Sequence, residues 1–224
     1  MKIFRVLFPL LMVAGLLVMT GCSWDMNNPR ADEYDVQIIG DSVFDLSGDI
    51  HDVLQDLSGK SYKDRSVSGA KIAAIDSQLG TALTRTTLKT LIADGGANDI
   101  LQGSMDCDSD PLTQGCVDVI DYIGDTMENM LDDMYVSGLD DCVWMGYYHV
   151  TGDDEEKNEA IDYCYSYAYP GIFGSAAVST YLIDPRSDIY TSHLKSDGIH
   201  PTYAGSEILA NLIWDVMVNE NVYR

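Results

Sequence analysis

The chain has 224 residues, 46% of them hydrophobic and 22% charged, which is enough for one sizeable core and unlike the apolar-poor composition of a disordered chain. Against 36 Asp and Glu stand 13 Lys and Arg, a formal net charge of −23. Such a surface repels phosphate backbones, so no nucleic-acid partner is expected, and the excess acid reads as solubility or adaptation to salt.

Lys2 and Arg5 precede an apolar run from Val6 to Met19, and Thr20 and Gly21 lead into Cys22. The run is short for a bilayer span and ends in small residues, the pattern of a cleaved signal peptide. Met19-Thr20-Gly21-Cys22 resembles a bacterial lipobox, which implies that residues 1–22 are a leader ending in a Cys22 that carries lipid. Ser23 after it resembles an outer-membrane address of a Gram-negative bacterium; plain secretion is the alternative. Residues 23–33, polar with Asn27-Asn28-Pro29, suit a tether, which leaves 34–224 for the folded domain.

Asp35 to Gly40 is a β-branched run ending in glycine and reads as a buried strand, with Asp41 and Ser42 just past its carboxyl end. Ile50, Val53, Leu54 and Leu57 recur at helical spacing. Ser66-Val67-Ser68-Gly69 reads as a strand end and turn, and Thr90 to Asp94 as a second apolar strand followed by Gly95 and Gly96. From Val117 to Met134 one apolar face persists, the clearest helix of the chain. Cys142 to Val150 and Val178 to Asp184 are strand candidates, separated by an acidic, tyrosine-rich insertion between Gly152 and Tyr169. Tyr203 to Val218 is a last helix. Strands alternating with helices imply an α/β fold, a three-layer α/β/α sandwich with a central parallel sheet and ligand sites beyond the carboxyl ends of its strands.

Without Cys22, the cysteines are Cys107, Cys116, Cys142 and Cys164, an even set in a chain sent to an oxidising compartment. Three pairings are open, and proximity favours Cys107–Cys116 with Cys142–Cys164. A metal site is the competing reading, but no C-x-x-C pair is present.

A serine just past a strand, where a following helix presents free N–H groups, suits a nucleophile, and it needs a histidine oriented by a carboxylate. Of four histidines, His200 alone has a carboxylate at short fixed spacing in a turn-rich loop, Asp197-Gly198-Ile199-His200-Pro201; His193 is a weaker candidate. Taken singly, these stretches are common turn punctuation; their order on expected strand ends makes them a candidate site.

Gly40-Asp41-Ser42, Ser68-Gly69, Gly96-Ala97-Asn98-Asp99 and Asp197-Gly198-Ile199-His200-Pro201 also resemble, in order, the four sequence blocks of the SGNH/GDSL hydrolases. The resemblance runs from Val36 to about Leu212, with Val43 and Phe44 departing from the usual pattern beside the serine. It implies a flavodoxin-like SGNH hydrolase fold and cleavage of a small carboxylic ester; a compact single domain with no obvious long lipid channel favours a short-chain acyl group. Ser42 would be nucleophile, His200 general base then acid, and Asp197 the carboxylate that orients it. The oxyanion hole would come from the Ser42 and Gly69 N–H groups and the Asn98 amide, with Asp41 and Asp99 as supports. No cofactor or metal is expected, and the protein should be a monomer. The alternatives are an O-acyltransferase or deacetylase acting on a cell-envelope or extracellular polysaccharide, or a surface lipoprotein that only binds a ligand.

Gly59-Lys60-Ser61 lacks the first glycine of a phosphate loop, and Phe44 stands where the G-x-S-x-G elbow needs its second glycine. Asp106, Asp108 and Asp110 alternate like a calcium loop but lack its glycine and final glutamate, so they read as a solvated acidic loop. The expected pocket walls are the stretches Gly103 to Gly115 and Gly152 to Gly174.

Overall fold

The computed structural model describes residues 34–46 and 48–224; the expected leader, Cys22 and the tether lie outside them. Its centre is a sheet of five strands, β1 (Val36–Ile39), β2 (Lys63–Asp64), β3 (Thr90–Ala93), β4 (Asp141–Met145) and β5 (Ser179–Ile183). All neighbours are parallel, in the order β2-β1-β3-β4-β5. The chain reverses its direction of travel between β1 and β3. That point is where open α/β sheets leave a crevice beyond their carboxyl ends.

Side chains alternate along the strands, and the alternation builds two cores. Val36 and Ile38 of β1, Ile92 of β3, and Val143 and Met145 of β4 face one way. They meet Ile50 and Leu54 of α2 (Asp49–Ser58) and Leu209 and Ile213 of α8 (Tyr203–Asn219). Ile39, Leu91, Ala93, Cys142 and Trp144 face the other way, onto Ile72, Ile75 and Leu79 of α3 (Ile72–Ala82) and the buried stripe of α5 (Gln114–Val136). That stripe, Cys116, Ile120, Ile123, Met127, Met130, Leu131 and Met134, recurs every three or four residues, as one face of a helix must. Its first turn is capped by the Thr113 hydroxyl, which accepts from the Cys116 N–H at 3.2 Å.

Three short helices lie at the sheet's carboxyl edge or in the insertion: α1 (Ser42–Asp45), α4 (Ala97–Leu101) and α6 (Asn158–Tyr163). With α7 (Tyr169–Ser175), α6 turns the expected tyrosine-rich loop into a nearly continuous helical segment from Gly152 to Ser175. Its aromatic rings pack on one another, Tyr165 against Tyr169 and Tyr169 against Phe173, in edge-to-face pairs.

Two expectations are corrected. The strand expected over Cys142 to Val150 stops at Met145. At Gly146 a side chain would strike the Tyr165 hydroxyl and the Ile183 carbonyl, so a backbone without Cβ lets the chain leave the sheet there. Of the two expected disulfides, Cys107–Cys116 is formed, with its Cα atoms 5.1 Å apart, whereas Cys142 and Cys164 are buried free thiols. Cys142 is the second residue of β4, roughly 10 Å below the strand's carboxyl end. Cys164 lines the cavity beyond that end, and a disulfide requires Cα atoms within about 7 Å.

Candidate active site

The turn after β1 is set by burial. Asp41, 1% exposed, caps α1 by accepting from the Val43 N–H at 3.0 Å, which sets the next residue, the nearly buried Ser42, at the rim of a cavity. The other Asp41 oxygen accepts from the Tyr147 hydroxyl at 2.7 Å and from the Asn98 amide at 3.2 Å. Behind it, Asp94 at the end of β3 accepts from the Asp41 N–H at 2.8 Å through Oδ1, while its Oδ2 has no partner among the described residues. Gly40 passes so close that a Cβ there would lie 2.0 Å from Asp94 Oδ1, which is why this position takes glycine.

Burial pushes both carboxyls up, Asp94 furthest, because Asp41 adds like charge to complete desolvation. Three donors serve Asp41 and one serves Asp94, so the pair keeps its charge on Asp41 and its proton on Asp94.

The second half of the site comes from the loop before α8. Asp197 Oδ1 accepts from the Ile199 and His200 N–H groups, each at 2.9 Å, and Oδ2 lies 3.0 Å from His200 Nδ1. Partial burial opposes ionisation of Asp197, but these donors outweigh it and hold the carboxyl down at about 2. His200 Nε2 is 3.0 Å from Ser42 Oγ. With Nδ1–H donating to Asp197, the Ser42 hydroxyl donates to a lone pair on Nε2. The loop is pinned from outside by the Tyr148 hydroxyl on the Ile199 carbonyl at 2.8 Å and by the Thr151 N–H on the Gly198 carbonyl at 2.9 Å.

The expected anion donors gather at the same rim. The N–H groups of Ser42 and Gly69 have no protein acceptor among the described residues. Gly69 holds φ at +76°, a left-handed turn, and the preceding Ser68 N–H is anchored on Asp45 at 2.7 Å. Asn98 is 5% exposed; its amide hydrogens reach Asp41 and the Ala70 carbonyl (3.1 Å), and its oxygen accepts from Gln102 at 2.6 Å. An oxyanion at this rim would have to compete with the Ala70 carbonyl for one of those hydrogens. Asp99 stands apart from the rim and accepts from the Ile72 N–H at 2.8 Å, fixing the start of α3.

Ser42, Gly69, Asn98 and His200 thus converge on one cavity, with Asp197 behind the histidine. His193 does not join them; its ring bonds the Tyr190 N–H. Three participants escaped the sequence reading. Tyr147 sat inside an overlong strand, Asp94 looked like an ordinary strand end, and Gln102 belongs to no motif. Among the described residues no group of three or more His, Cys, Asp or Glu is arranged to hold a metal ion.

The parallel sheet of this order, with Ser42 after β1, Asn98 after β3 and Asp197 and His200 in the turn before the last helix, shares its fold with solved GDSL-like lipases and esterases. Solved structures that share the fold include a GDSL-like lipase from Bacteroides thetaiotaomicron (TM-score 0.62, 15% identity, covering 86% of this chain and 92% of that one). A catalytic mutant of an acetylxylan esterase from Geobacillus stearothermophilus matches at TM-score 0.60 and 14% identity, over 84% of this chain and 94% of the other. A family 3 carbohydrate esterase from Clostridium thermocellum matches at 0.60 and 16%, over 83% and 96%. No family model and no curated protein matches the sequence.

Proposed function

We propose that the protein is a serine ester hydrolase of the SGNH/GDSL type, cleaving carboxylic esters through an acyl-enzyme on Ser42. The observation that carries this reading is the continuous relay from Ser42 Oγ to His200 Nε2 and from His200 Nδ1 to Asp197, both steps at 3.0 Å. In it, the Ser42 oxygen attacks the ester carbonyl carbon while its proton passes to His200. The tetrahedral oxyanion is met by the Ser42 and Gly69 N–H groups, with the Asn98 amide as third donor once it turns from Ala70. Collapse breaks the C–O bond, and His200 returns its proton to the departing alcohol. Water then repeats the sequence on the acyl-enzyme and frees Ser42.

Asp197 stays ionised throughout, since its carboxyl is held down at about 2, and so it stabilises the imidazolium formed in each half-reaction. A neutral His200 is required at the start.

The direct test is Ser42→Ala on p-nitrophenyl butyrate. Loss of at least ~10⁴-fold in kcat is expected; equal rates for variant and wild type would refute the assignment. The sequence around Cys22 further supports an exported protein held at the outer membrane by lipid. Cys22→Ser should then move it from the membrane pellet to the soluble fraction.

A further inference from the structure

The cavity on which Ser42 and His200 converge has a volume of about 280 Å³ and extends away from them. Away from the relay its walls are mostly apolar, Ile100 and Leu101 of α4, Ile123 of α5, Val150, Ile161 of α6, and Tyr169 at the start of α7, with Gln102 and the Asp154–Lys157 pair as the polar members. Ile123, Ile100, Val150 and Tyr169 are buried by the fold itself, so the walls are preformed. One side is the backbone at Gly96, where a Cβ would stand 2.8 Å from Ile123, leaving no room to close the space from below.

The opposite side is the helical segment 152–175, which is fastened. Lys157, its side chain 15% exposed, reaches Asp154 at 2.6 Å and Asp108 at 3.1 Å. Asp108 belongs to the loop that the Cys107–Cys116 disulfide closes. The cations and anions at this wall are thus paired with one another, and the remaining lining offers a ligand hydrocarbon contact rather than charge.

We infer that this cavity receives the acyl chain of the ester and is sized for butanoyl to octanoyl groups rather than acetyl; the inference rests on Ser42 being the nucleophile. A water's share of liquid volume is about 30 Å³, so the space equals roughly nine waters. An acetyl methyl fills about one such share and leaves apolar walls uncovered. An octanoyl tail, seven carbons beyond the carbonyl, fills most of it. Each further methylene moved from water into such a pocket favours the bound state about fourfold, so selectivity should climb with chain length until the volume is used.

The test is kcat/KM of the full protein on p-nitrophenyl acetate, butyrate, hexanoate, octanoate and dodecanoate, with Ser42→Ala as the background. The expected series rises at least tenfold from acetate to its maximum at hexanoate or octanoate and falls at dodecanoate. Ile161→Trp, which fills the cavity from α6, should lower the hexanoate-to-acetate ratio at least tenfold, and Ile161→Ala should move the maximum to longer chains. Ser42-dependent hydrolysis with acetate as the best substrate, or a ratio that Ile161→Ala and Ile161→Trp both leave unchanged, overturns the acyl-pocket inference alone. No Ser42-dependent hydrolysis of any of the five esters overturns the hydrolase reading and this inference with it.

Discussion

The two halves of the relay are built in opposite ways. Ser42 sits on a turn whose supports are inside the protein: Asp41 and Asp94 are essentially inaccessible, and Tyr147 and Asn98 bond to Asp41 from two further strand ends. Asp197 and His200 sit on a surface loop, the Asp197 side chain 46% exposed, held by backbone N–H groups and by two clamps from the stretch after β4. A buried network makes the position of Ser42 inseparable from folding. A surface turn can carry its carboxylate with less consequence for stability than a buried one, because both charged and neutral states remain partly hydrated.

This contrast can be broken at several points. The largest effect should come from Asp197→Ala on the exposed side, which removes the orienting carboxylate and should cost ~10³–10⁴-fold in kcat. The thermal unfolding midpoint of the same variant should fall only modestly, because the carboxylate, although it accepts two backbone N–H groups, is 46% exposed and partly hydrated. A large fall in both quantities would show that the two halves are not built differently after all.

Asn98→Ala lies between the extremes. Losing an oxyanion donor typically costs about 10²–10³-fold in kcat. Because Asp41, Ala70 and Gln102 also lose a buried partner, stability should fall too, by about 1–3 kcal/mol. Activity and denaturant midpoints on one preparation check both; a rate loss with no stability loss would place Asn98 outside the buried network.

The smallest and most diagnostic effect is expected at Asp94→Asn. Folding raises the Asp94 carboxyl above its unfolded value, so the folded protein keeps a proton that the unfolded chain releases. Stability is full below the ordinary carboxylate range and declines as pH rises toward the raised value. Asparagine has no proton to lose. The variant should match wild type near about pH 4 and melt higher near about pH 8, by ~2–4 °C for each kcal/mol recovered. A variant less stable at both pH values would mean that Asp94 carries the charge of the pair.

Much of the site was legible in the chain because its blocks are local. Asp197 and His200 are three residues apart, and a turn bonds them through its own backbone whatever surrounds it. The strand β3 and the helices α5 and α8 were legible for the same reason, since apolar periodicity reports which face is buried before the partner is known. Tyr147 was not legible. It follows an apolar run that reads as strand, and only the packing of Gly146 against Tyr165 and Ile183 ends that strand and turns the tyrosine toward Asp41. The segment 152–175 reads as an acidic, tyrosine-rich insertion although its buried positions Ala160, Cys164, Tyr169 and Ile172 recur at helical spacing, because half-buried and exposed tyrosines, Tyr167 among them, obscure that stripe in the sequence.

Sequence alone therefore indicated the parallel α/β class, through the alternation of strand and helix patterns, and the candidate nucleophile and base, through local turn blocks; it favoured the Cys107–Cys116 bridge without excluding other pairings. Tertiary structure decided what depends on contacts between distant segments. It separated Cys142 from Cys164, and it gathered Asp94, Asp41, Tyr147 and Asn98 into one buried network. It also enclosed an apolar space beside Ser42. The physical reason is that periodicity and turn chemistry act within one element, whereas burial, and with it the proton on Asp94 and the shape of the cavity, exists only once separate elements meet.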